Sequence, residues 1–290
     1  LKSNTTANNN TAMGRCALSS NTQDSNTAVG MNAGRANTTG SVVAVGRDAL
    51  LSNTTGLSNT AVGKMAAQSN TSGIRNTAVG ECALQNTTTG SENTAIGFQT
   101  LRSNTTGGCN TGIGDEALEF NTTGSQNTAV GRTALYANTS GNYNTAVGTF
   151  SLQTNTTGSN NAALGRSALY CNTTGASNVA VGRSAMYFNT TGTQNTAVGH
   201  SALNANTTGG HNTASGAYAL KTNTTGTHNT ALGKESLACN TTGFGNTASG
   251  YRTLFNNTTG ERNTAVGHLA AANTTSGRWN IAVGACSLYK

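Results

Sequence analysis

The sequence has no proline, and of its 290 residues only 9% are charged, 5% aromatic and 34% hydrophobic. That composition lies well outside the range of an ordinary globular domain and makes a conventional core of large side chains improbable. The 16 Lys and Arg against 9 Asp and Glu give a net charge of +7. The cations stand singly, without the clusters of a phosphate-binding patch, so a nucleic-acid partner is not expected. The excess of positive charge is compatible with an anionic partner such as a polysaccharide. Cys16, Cys82, Cys109, Cys171, Cys239 and Cys286 form no CxxC pair, so neither a zinc site nor a redox motif is indicated. No apolar run approaches membrane-spanning length, and no signal peptide is present. A Gly-rich phosphate loop, a serine-triad signature and an HExxH motif are also missing, so the chain reads as a non-enzyme with no cofactor and no metal.

What the chain has instead is repetition. An Asn-Thr-Ala-Val-Gly pattern begins at Asn59 and returns every 17 residues at Asn76, Asn93, Asn110, Asn127 and so on to Asn280, with earlier copies at Asn10, Asn26 and Val42. The consensus unit is N-T-A-V-G-x-x-A-L-x-x-N-T-T-G-x-x, and about 17 such coils fill the chain. A disordered low-complexity tract would not hold small apolar residues at fixed places over this length. The reading is therefore all-β: a parallel β-solenoid (β-roll) over residues 1–290, stacked at about 4.8 Å per coil into a rod of roughly 80 Å.

Glycine marks the corners. Position 5 is glycine in every coil, as at Gly63, Gly80, Gly97, Gly131 and Gly148, and position 15 is glycine in most. Both are expected to need positive φ. Between the corners the pattern predicts two short extended stretches, around T-A-V and around A-L, with Val at position 4 and Leu at position 9 forming a buried ladder. Position 2 changes from Thr to Val43, Val179 and Ile281 and is expected to share a semi-buried face with position 4. Asn at positions 1 and 12 is placed to cap backbone groups or to stack on the Asn of the next coil. The Asn-Thr-Thr triplets match the N-glycosylation sequon, but repeat geometry already explains them. Both ends fall inside a repeat, so a segment of a longer polypeptide is expected.

Four side-chain groupings are candidate sites. Position 6 is the row richest in charge, and the period sets Lys64 over Glu81 and Asp115 over Arg132 as exposed cross-coil pairs. Tyr136, Tyr170 and Tyr187 share position 10, with Phe120 and Phe188 at position 11. This aromatic edge suits a chain–chain interface, or stacking on a sugar. His211 and His228 share position 17 of consecutive coils, but two ligands make an incomplete metal site. Asp115, Glu116 and Glu119 form an acidic cluster without the cleft that carboxylate catalysis needs.

Ser41-Val42-Val43-Ala44-Val45-Gly46, Asn178-Val179-Ala180-Val181-Gly182 and Asn280-Ile281-Ala282-Val283-Gly284 resemble the S-V-A-I-G repeat of YadA-type heads in trimeric autotransporter adhesins. They are also similar to the N-T-A-V-G repeat regions of phage tail-fibre and related surface-fibre proteins. YadA-type heads are left-handed parallel β-rolls assembled as trimers on a cell surface, although their repeats are shorter than 17 residues. The resemblance implies an extracellular, cell-surface or virion location, self-association as a homotrimer or filament, and a structural role as fibre, stalk or adhesin shaft, with a surface glycan as a further partner. Grass ice-binding proteins resemble the chain in their short Asn, Val and Gly repeats, which makes ice binding the competing reading. Against it, the paired threonines (Thr54 and Thr55, Thr105 and Thr106) are adjacent and would point to opposite faces of a strand, whereas a T-x-T pattern presents both on one face.

Overall fold

The computed structural model describes residues 1–289 and is a parallel β-solenoid; among the described residues there is no helix. The chain divides into two compact units, Leu1–Asn144 and the residues from Thr145 onward. The first unit holds eight strands: β1 (Thr11–Met13), β2 (Thr27–Val29), β3 (Val42–Val45), β4 (Asn59–Val62), β5 (Thr77–Val79), β6 (Thr94–Ile96), β7 (Thr111–Ile113) and β8 (Thr128–Val130). The second holds nine: β9 (Thr145–Val147), β10 (Ala162–Leu164), β11 (Val179–Val181), β12 (Thr196–Val198), β13 (Thr213–Ser215), β14 (Thr230–Leu232), β15 (Thr247–Ser249), β16 (Thr264–Val266) and β17 (Ile281–Val283).

Within each unit every strand pairs in parallel with the next, like residue over like. Thr77, Ala78 and Val79 lie against Thr94, Ala95 and Ile96 in the first unit. In the second, Thr196, Ala197 and Val198 lie against Thr213, Ala214 and Ser215. The 16-residue steps near the start leave this register intact, with Thr11 against Thr27 and Thr27 against Val43. The first of these deletions falls in a turn: Asn21 Nδ2 donates to the Gln23 carbonyl at 2.7 Å, where Asn53 reaches three residues on to the Gly56 carbonyl at 3.0 Å.

The inner face of every strand is alanine except in β7, where it is Gly112. Ala61, Ala78 and Ala95, and likewise Ala180, Ala197 and Ala214, are fully buried. So are the position-9 residues Leu84, Leu101 and Leu118, and Leu203, Leu220 and Leu237. The valines were expected inside beside leucine and are not there. Strand alternation turns positions 2 and 4 outward together, leaving Val62 37%, Ile96 40% and Val198 40% exposed. They do share one face, as expected, but it is the outer one. The reason is room: with the opposite wall this close, only a methyl group fits at position 3.

The A-L segment is also not the second strand that its pattern suggested. Amide N–H groups there bond back within the coil, as from Ala83 to the Gly80 carbonyl (3.3 Å), Gln85 to Cys82 (3.4 Å) and Thr87 to Leu84 (3.2 Å), making consecutive turns. Left-handed residues make those turns possible, at position 7 (Cys82, φ 59°; Glu116, φ 56°) and at position 9 (Leu84, φ 51°; Leu118, φ 55°). A non-glycine residue there costs on the order of 1–3 kcal/mol. Burying a leucine returns about 1.5–3 kcal/mol, and coil-to-coil hydrogen bonds add to it, such as Leu118 N–H to the Ala134 carbonyl at 3.0 Å.

The two glycine positions differ in kind. Position 5 has positive φ as expected: 139° at Gly63, 136° at Gly80, 135° at Gly97, 132° at Gly131 and 127° at Gly148. Position 15 does not. Gly56 and Gly73 have ordinary backbone angles, but a Cβ on Gly56 would come within 2.4 Å of both the Gly73 carbonyl oxygen and Asn53 Oδ1. Glycine is required there by close approach between coils, not by backbone conformation.

Candidate functional site

Three surfaces are built by this coil: the outer strand face, the turn edge formed by positions 7, 10 and 11, and the left-handed position-17 row. Behind them run two buried asparagine ladders that fix their geometry. At position 1, Asn93 N–H and Nδ2 both donate to Asn76 Oδ1 (3.0 and 3.2 Å), and Nδ2 also donates to the Gly107 carbonyl (2.9 Å). At position 12, Asn172 Nδ2 donates to Asn155 Oδ1 (2.8 Å) and to the Gly175 carbonyl (3.0 Å). Burying amides without partners would be costly, and here the stacking supplies them. It also explains the sequons. The Nδ2 that a glycan would occupy is fully buried at Asn53, Asn172 and Asn189 and already donates two bonds. A third ladder uses the position-13 threonines, whose hydroxyls donate to the next coil's carbonyl, as from Thr71 to Thr88 (3.0 Å) and Thr173 to Thr190 (3.1 Å).

The outer face carries threonine at position 2 in most coils and an aliphatic residue at position 4 in most, with Ser215 and Ser249 the polar exceptions in the second unit and no charged residue in either row. In the first unit Val62, Ile96 and Ile113 are 37–40% exposed; in the second, Val147, Leu164, Val198, Leu232 and Val266 are 39–52% exposed. The repeat thus presents a T-x-V arrangement on one face. This is the kind of surface that the adjacent threonines at positions 13 and 14 could not supply; the sequence puts positions 2 and 4 on one face, but the expectation of a semi-buried face, with Val and Ile at position 2 counting against ice binding, underrates its exposure. The alternation of Asn and Ala with Thr and Val in N-T-A-V was the signal that could have found it.

On the turn edge the aromatics meet within each unit. In the first, Phe120 and Tyr136 pack edge to face with ring centres 4.9 Å apart. Tyr136 neighbours Glu119, which is almost wholly buried and pairs with Arg102 at 2.7 Å. Desolvation pushes the Glu119 carboxyl above its ordinary value despite that cation, and burial likewise raises the Tyr136 phenol. In the second unit Tyr170 and Tyr187 stack in parallel at 4.9 Å, and Phe188 packs against Tyr187 at 4.7 Å. Phe120 and Phe188 stay 38% and 49% exposed, while the three tyrosines are half-buried. Much of this aromatic surface is therefore spent on intrachain stacking.

The charged and histidine rows follow the period. Lys64 Nζ reaches Glu81 at 2.6 Å and Arg75 reaches Glu92 at 2.6 Å, both pairs well exposed and so worth little. His211 and His228 stack with ring centres 4.8 Å apart and planes 12° apart. Near-parallel planes keep the ring-nitrogen lone pairs from converging on one ion. Among the described residues no group of three or more His, Cys, Asp or Glu is placed to hold a metal, and no helix is long and apolar enough to cross a membrane. No protein-family model matches this chain, and neither does any curated protein.

Proposed function

We propose that this chain is a structural, non-catalytic element of an extracellular fibre or stalk that works by self-association, a homotrimer being the assembly its repeat resemblance implies. The observation that carries the reading is the sameness of the coils. Most coils add one strand pair, one rung of each asparagine ladder and one threonine hydroxyl bond, so load is spread over many similar contacts. The uncharged outer face supports self-association better than the aromatic edge does, because its aliphatic side chains are solvent-facing in coil after coil while the aromatics largely satisfy one another. Replacing Val62 and Val198 by lysine tests the assignment. Charge on that face lowers the mass of the assembly in solution, whereas an unchanged mass moves the interface elsewhere.

A second reading, ice binding, is favoured by the T-x-V arrangement of that same face. A monomeric chain that gives thermal hysteresis, lost in Thr94→Lys and Thr230→Lys variants, supports it over the fibre.

A further inference from the structure

We infer that the turn edge of the second unit holds a binding notch for a carboxylate-bearing pyranose, a uronic-acid residue of an acidic polysaccharide. A groove of about 370 Å³ opens there, lined by Tyr218, Lys221, Glu235, Cys239, Arg252 and Phe255 among others. It exists because of one small residue. Position 10 of three successive coils reads Lys221, Ala238, Phe255, and Ala238, 6% exposed, leaves a gap between the longer side chains on either side. Those neighbours belong to coils two steps apart, about 9.6 Å by the strand spacing. That gap admits one six-membered ring.

The walls set the chemistry. Phe255 lines one wall with the Arg252 guanidinium over its ring, 5.0 Å from the ring centre, so a pyranose meets an apolar ring and a cation together. On the opposite side the Lys221 ammonium sits 5.2 Å from the centre of the Tyr218 ring. Arg252 Nε is tied to Glu235 at 2.5 Å, which fixes the guanidinium and keeps the Glu235 carboxylate below its ordinary value through that hydrogen bond. Lys221 is exposed and has no carboxylate partner among the described residues. It is the group free to meet a ligand carboxylate, while Glu235 and the Thr222 hydroxyl can serve ring hydroxyls. The site does not depend on whether the chain self-associates.

Titration calorimetry of the intact chain with an oligogalacturonate and with its methyl ester tests the proposal. The acid binds saturably and the ester, same ring without charge, binds at least about tenfold more weakly. Ala238→Phe, which fills the notch with a ring like those carried at the same position by Tyr170 and Tyr187, abolishes binding without lowering the melting temperature. Lys221→Gln weakens binding and flattens its salt dependence. Absence of saturable binding by the parent chain, equal binding of acid and ester, or unchanged binding by either variant overturns it.

Discussion

The buried Oδ1 of Asn70 has no hydrogen-bond partner because Thr87 stands where the next rung of its ladder belongs. Elsewhere in that ladder the amide of the following coil's asparagine donates to this oxygen, as Asn70 itself does to Asn53 at 2.6 Å. Thr87 has no amide to give, and on its other side Asn104 Nδ2 reaches its hydroxyl at only 3.5 Å. Asn257 is orphaned in the same way, with Thr274 in the corresponding place.

Thr87→Asn is therefore expected to stabilise the first unit. It supplies a donor to Asn70 and an acceptor to Asn104, and removing a buried orphan is worth about 1–3 kcal/mol. Urea unfolding of the variant and parent checks this, with a rise in the midpoint expected at unchanged slope.

The two glycine rows separate backbone strain from steric closeness. Gly80→Ala faces both a φ of 136° and a carbonyl oxygen 2.3 Å from the new Cβ, while Gly73→Ala faces close contacts alone, the Gly90 carbonyl oxygen at 2.3 Å and Asn70 Oδ1 at 2.5 Å. Both variants lose stability, Gly73→Ala by about 1–3 kcal/mol from overpacking, and Gly80→Ala by that plus about 1–3 kcal/mol of strain. Thermal melts of the pair measure the difference.

Glu119 gives a pH signature. Its pKa is raised in the folded chain, chiefly by desolvation, so the folded state holds the proton more tightly than the unfolded one. The stability it contributes is complete below the unfolded carboxyl pKa and is lost as pH rises through the higher folded value. Glu119→Gln, neutral at every pH, is expected to gain in melting temperature relative to the parent as pH goes from 4 to 7, with the aromatic pair Phe120–Tyr136 retained. A constant difference across that range contradicts the assignment.

The left-handed position-9 residues invert the usual glycine penalty. Ala67 has φ 47° and Ala271 φ 49°, so Ala67→Gly is expected to relieve strain and to cost less than the roughly 1 kcal/mol of an ordinary alanine-to-glycine change. Chemical denaturation of that single variant decides it.

Much of this fold was legible in the sequence because a strict period projects directly onto stacking. The T-A-V strand, the asparagine ladders and the Lys64–Glu81 pair all follow from placing residues 17 apart in contact. What did not follow was anything set by the shape of a single coil. Leucine has no preference for left-handed backbone, so nothing local announced that Leu84 and Leu118 sit in turns rather than in a strand. The small alanines at positions 3 and 8, such as Ala78 and Ala83, signal that the walls approach closely, and they are fully buried; but valine outranks alanine as a core residue by hydrophobicity, which puts Val79 inward on the sequence alone. The narrow space inside the coil reverses that order, and the alternation within N-T-A-V hinted at it. The notch at Ala238 was invisible for a related reason: it is a gap between Lys221 and Phe255, and a missing side chain has meaning only once its neighbours are stacked.

The mass of the folded chain in solution, measured by light scattering over a wide concentration range, bears most directly on the proposed role. One chain weighs 29.2 kDa. The account predicts a stable multiple of that mass, three chains for the trimer, persisting on dilution. A mass of one chain at every concentration contradicts it and leaves the T-x-V face to the ice-binding reading, for which thermal hysteresis is the deciding assay.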